Sequence, residues 1–108
     1  DAVTALAGSG PAFIYRVIDA LTKGGEAAGL PQTVAAQLAL SMTEGAAILA
    51  ATSPETPGDL AARVTSPGGT TAAGLAVLDA DMALDRLMTQ TLRAARDRGA
   101  ELAKGGNK

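Results

Sequence analysis

The sequence predicts an all-α fold, a bundle of about five helices, and three observations carry that reading. Apolar residues recur at three- and four-residue intervals, no stretch alternates with the period of two of a half-buried strand, and Pro- and Gly-containing breaks divide the chain into helix-sized segments. A length of 108 residues suits one domain with one hydrophobic core. With one Phe, one Tyr and no Trp in a chain that is 47% hydrophobic, that core must be built from Ala, Leu, Val, Ile and Met. At ~25 cal/mol per Å² of buried apolar surface, such small side chains leave a single-chain core marginal. Association with a second chain would relieve the shortage.

The first helix is expected from about Pro11 to Ala28, with Ser9 or Gly10 as N-cap and Pro11 near the first position, where its lack of an N–H costs nothing. Phe13, Ile14, Val17, Ile18 and Leu21 share one stripe. Gly24 and Gly25 cost ~1 kcal/mol each relative to Ala inside a helix, which points to close crossing by another helix. Gly29 suits the C′ position, and Pro31 restarts the chain into a second helix reaching about Ala51. Val34, Leu38, Met42, Ala46 and Leu49 mark its buried side. Glu44 is its single formal charge, so burial on several sides is expected. "TSPETPGD" (52–59) forms a loop that Pro57 ends by opening a short helix through Leu60 toward Val64. A fourth helix starts at Thr70 or Thr71 and reaches about Leu78. "DADM" then leads into a last helix from about Ala83 to Ala103, with Leu84, Leu87, Met88, Thr91, Leu92, Ala95 and Leu102 on its apolar stripe and charges on its outer face. The closing "KGGNK" is expected to fray.

Composition also excludes chemistry. Without Cys or His there is no thiol nucleophile, disulfide framework, imidazole base or zinc site. A net charge of −2 gives no electrostatic footprint for nucleic acid. No apolar run approaches the roughly 20 residues of a membrane span, and the first residues do not read as a signal peptide. The expectation is a soluble, cytoplasmic protein with no nucleic-acid or membrane partner and no metal.

The segment "TSPGGTT" (65–71) is an expensive way to join two helices. Pro67 fixes φ and pushes Ser66 toward extended backbone, while Gly68 and Gly69 permit positive φ and leave the backbone uncovered. Thr70 and Thr71 then open a helix whose first N–H groups have no intrahelical partner and whose dipole is positive. The N–H groups of Gly69, Thr70 and Thr71, with the hydroxyl of Ser66 or Thr70, can cradle a small carboxylate. A phosphate is the other candidate, but no Lys follows the glycines as in a P-loop, and no strand precedes them as in a dinucleotide fingerprint. The competing reading is a plain turn with a capping hydroxyl, and "AGSGPAF" (7–13) admits the same reading.

Taken together, "DAVTALAGSGPAFIY", "KGGEAAGLP" and "TSPGGTTAAGLAVLD", in this order and spacing, resemble the C-terminal domain of pyrroline-5-carboxylate reductase over essentially the whole chain. The resemblance implies an enzyme that reduces 1-pyrroline-5-carboxylate to L-proline with NADPH or NADH, in the last step of proline synthesis. It implies a helical domain, residues 1–108, that binds substrate and interleaves with a partner chain in a homodimer or larger homo-oligomer. The dinucleotide would be bound mainly by an N-terminal Rossmann domain that this segment lacks, so the segment alone is expected to be inactive. Carried over by residue, Ser66, Gly69 and Thr70 hold the substrate carboxylate, the Thr71 hydroxyl meets the ring nitrogen as the catalytic group, and Val64 lies near the cofactor. Ala7 stands where many relatives would have Ser. The alternative from another class is a non-catalytic helical oligomerisation module in which both Gly-rich segments are only helix caps.

Overall fold

The computed structural model describes residues 1–105, and among these the chain is helical with no strand. Asp1 opens the first helical turns: its Oδ1 accepts the Thr4 N–H at 2.9 Å, and its carbonyl accepts the Ala5 N–H at 3.0 Å. A π-helical turn, Thr4–Gly8, follows, and Ser9 stays close to helical backbone at φ −88°, ψ −19° before α1 (Gly10–Ala27) begins. Ser9 is therefore no N-cap. The chain is already helical when it arrives there, because an Asp three residues before Thr4 supplies the cap that the sequence reading placed at Ser9.

α1 ends in a Schellman motif. Gly29, at φ +117°, donates to the Glu26 carbonyl, and Leu30 donates to the Gly25 carbonyl, both at 3.0 Å. Pro31, extended at ψ 147°, stands one residue before α2 (Gln32–Thr52). α1 and α2 cross closely at Gly25, where an added Cβ would lie 3.2 Å from the Ala35 Cβ. Gly24 faces open space, so the expected crossing holds for one of the two glycines. α3 (Pro57–Arg63) is capped by Thr56, whose Oγ1 accepts the Asp59 N–H at 3.1 Å, and Arg63 pairs with Glu55 in the loop before it. α4 (Thr70–Asp79), a 3₁₀ turn (Ala80–Met82) and α5 (Ala83–Gly105) complete the chain. The expected fraying of "KGGNK" lies outside the described residues for 106–108, while Lys104 and Gly105 are helical.

Two compact units result. One comprises residues 12–64, with α2 and α3 and most of α1; the other joins residues 1–11 to residues 65 onward, with α4 and α5. In the second unit, α5 packs on the Thr4–Gly8 turn and on α4.

Burial is where the sequence expectations fail. Among the described residues only Ala5, Ala35, Ala39 and Thr22 are buried. The stripe assigned to the inside of α2 is open, with Val34, Leu38, Met42 and Leu49 all exposed. Ile14, Val17 and Leu21 of α1 and Leu84, Leu87 and Leu102 of α5 are exposed as well. The periodicity marks an apolar face on α1 and α5 but not on α2, and one chain does not have the side-chain volume to cover these surfaces. The reading of apolar runs is also corrected: α2 is 21 residues long, and by its length and its mean hydropathy of 1.4 it meets the requirement for crossing a membrane. Alanines make it apolar all round without any long run of large side chains. Among the described residues it is the one helix that meets this requirement.

Candidate functional site

The residues of "SPGGTT" fold as one continuous device, a tight turn feeding a helix start. The Gly69 N–H donates to the Ser66 carbonyl at 3.0 Å, closing a four-residue turn with Pro67 second and Gly68 third. Gly68 has φ +74°, the left-handed value that a type II turn demands at its third position and that glycine supplies without strain. Gly69 is extended (φ −88°, ψ −177°) and stands as the N-cap of α4 with no side-chain cap. Its carbonyl accepts the Ala73 N–H at 3.1 Å, the first bond of the helix.

This arrangement shifts the expected donor set by one residue. The Gly69 N–H points back into the turn, so it does not serve as a cradle donor. The N–H groups of Thr70, Thr71 and Ala72 precede the first helical bond and have no partner among the described residues. Ala72 was not in the sequence reading; counting three residues on from the N-cap would have found it. Gly69 keeps a different reason for being glycine, because a Cβ there would sit 3.2 Å from the Ser66 carbonyl oxygen.

The hydroxyls of Ser66, Thr70 and Thr71 make no hydrogen bond among the described residues, and all three residues are exposed. Three converging N–H groups at the positive end of a helix, flanked by three uncommitted hydroxyls, can hold a carboxylate and offer one further O–H to a neighbouring atom of the same ligand. Ser66, Gly69, Thr70 and Thr71 thus lie together. Val64 closes α3 and is 70% exposed, with its N–H donating to the Ala62 carbonyl.

Comparison with known proteins accounts for nearly all of the described segment. Residues 1–102 match the family model for pyrroline-5-carboxylate reductase dimerisation. Pyrroline-5-carboxylate reductase of Synechocystis is 46% identical over 104 residues, covering 96% of this chain and 39% of that protein. The pea (Pisum sativum) reductase is 48% identical over 103 residues, covering 95% of this chain and 37% of its own length. The chain therefore spans under two fifths of these relatives. The crystal structure of Plasmodium falciparum pyrroline carboxylate reductase with NADP bound superposes with a TM-score of 0.84 at 30% identity, covering 91% of this chain and 37% of that one. With the all-α architecture, the SPGGTT turn and a family match over nearly its full length, this chain belongs to the pyrroline-5-carboxylate reductase dimerisation family.

Proposed function

We propose that the chain is the dimerisation and substrate-binding segment, residues 1–108, of a reductase that converts 1-pyrroline-5-carboxylate to L-proline with NADPH or NADH. The family match over residues 1–102 carries this reading. In it, the N–H groups of Thr70, Thr71 and Ala72 hold the substrate carboxylate, with Ser66 beside them and Gly69 keeping the approach free of side chain. The Thr71 hydroxyl donates to the ring nitrogen, where charge changes during reduction, and is the catalytic group.

NADPH or NADH supplies the hydride when bound. The described residues contain no strand, glycine-rich turn and helix in the order that holds a dinucleotide, and Val64 offers only an apolar contact surface, so the cofactor is held mainly by a Rossmann domain outside this segment. The segment alone is inactive. Exposure of Ser66, Thr70 and Thr71 supports completion of the site by further protein, since hydrogen bonds to a charged ligand gain most where water is excluded. A second copy of the chain forms the homodimer, and the absence of Cys is compatible with the reducing cytoplasm in which we place it.

The test is a pair of substitutions in the full-length protein. Proline is tolerated at the first helical position and suits the extended Gly69 before it, so Thr70→Pro removes one cradle N–H while leaving α4 intact. Thr70→Ala removes only the hydroxyl. A hydrogen bond to a charged group is worth about 1.5–3 kcal/mol, so KM for pyrroline-5-carboxylate should rise roughly 10- to 100-fold in Thr70→Pro relative to Thr70→Ala. Equal KM values in the two variants would remove the carboxylate from the α4 terminus.

A further inference from the structure

α4 and α5 meet at a corner in "DADM" (79–82), the break that the sequence reading placed there, but its backbone is strained. Ala80 leaves helical backbone at φ −57°, ψ 121°, and Asp81 (φ 53°) and Met82 (φ 56°) then stand in the left-handed region. Among the described residues they are the only non-glycine residues with positive φ. In that region the Cβ crowds the following carbonyl oxygen; Asp tolerates this through its short polar side chain, whereas Met has no such compensation. Met82 is 63% exposed, so no pocket holds its side chain there. From Leu75 to Arg98 the chain has neither Gly nor Pro, and Ala and Met are among the better helix formers. Met82 gains by leaving left-handed backbone, so backbone strain favours a straighter path through the corner, even though Asp79 and Asp81 are weak helix formers.

Packing of α5 on α4 and on the Thr4–Gly8 turn opposes that preference. The packing is thin. Neither α4 nor α5 has a buried residue, and an open groove of about 500 Å³, lined by Ala2, Ala5, Leu6, Met88 and Leu92, runs between the N-terminal residues and α5. A local preference and a tertiary preference of opposite sign and modest size are what a two-state element requires.

We propose that residues 79–83 form a strained hinge with a bent state and a straightened state. In the straightened state α4 and α5 run as one helix and α5 leaves its seat against Thr4–Gly8. Opening relieves two left-handed residues at the expense of the α5 contacts.

Hydrogen exchange of the α5 amides in the full-length protein, read with the thermal midpoint, tests this by sign. Asp81→Gly and Met82→Gly relieve the strain of the bent state. Each should slow α5 exchange by about ten-fold and raise the midpoint. Met82→Asn, with a residue that tolerates left-handed backbone, should fall between wild type and glycine, and β-branched Met82→Val should speed exchange. If Met82→Val does not fold, the Asn and Gly variants still rank the effect. Faster exchange or a lower midpoint in the glycine variants, as glycine produces inside a regular helix, would show that the corner is not strained. A raised midpoint with unchanged α5 exchange would show that opening does not pass through this corner. Either result overturns the proposal.

Discussion

Thr71 and Thr70 are adjacent, exposed and of one type, yet the helix start gives them different tasks. In the proposed site Thr70 contributes through its backbone and Thr71 through both backbone and hydroxyl. Thr71→Ala in the full-length enzyme should therefore lower kcat more than it raises KM, by about 10²-fold if the hydroxyl acts as a proton donor, and Thr71→Ser should recover most of the loss. Unchanged kcat in steady-state assays would take Thr71 out of the chemistry. Gly68 is a separate case, because its φ of +74° is a requirement of the turn itself. Gly68→Ala should destabilise the fold by about 1 kcal/mol, read as a lower midpoint in urea, because the turn needs left-handed backbone. Gly69→Val is the poorer probe of ligand binding: its side chain would press on the Ser66 carbonyl before any substrate arrived.

Helices α1 and α2 owe their crossing to a single missing side chain. Gly25→Val should lower the thermal midpoint, because its Cβ would press on Ala35 at 3.2 Å and its methyls would push further. Gly24→Ala should raise it, since Ala is favoured in a helix by about 1 kcal/mol and nothing stands within 4 Å of the new methyl. A drop for Gly24→Ala would reveal another helix crossing at that point. The elements were legible in the sequence because their signals are local: Pro57 and Pro31 near helix starts, Gly29 at a C′ position, and apolar spacing between them. The Thr4–Gly8 turn was missed because glycines at 8 and 10 read as a boundary, while the backbone at Ser9 bends without leaving helical space. The donor set of α4 was displaced because hydrogen bonding inside the SPGG turn, which takes the Gly69 N–H, depends on the turn type. The break at "DADM" was legible, but the left-handed backbone of Asp81 and Met82 was not, because neither residue is the glycine that usually marks it.

At the scale of the molecule, the decisive quantity is uncovered area. Among the described residues only three alanines and Thr22 are buried, while large apolar side chains of α1, α2 and α5 stand exposed. Assembly should therefore set stability: the midpoint of thermal unfolding should rise with protein concentration, and a midpoint independent of concentration over a hundred-fold range would count against a dimer. Total area could not be read from the sequence, because it depends on which faces remain unpaired after the helices form. α2 extends the argument to biosynthesis. The chain carries a helix with the length and hydropathy of a bilayer-spanning segment, and only Ala35 and Ala39 of it are fully buried. In the homodimer proposed above, a second copy would cover that surface, so a lone protomer would keep it open to lipid until it paired. Chains diluted below their pairing concentration should bind phospholipid vesicles through α2 and lose that binding as dimers re-form.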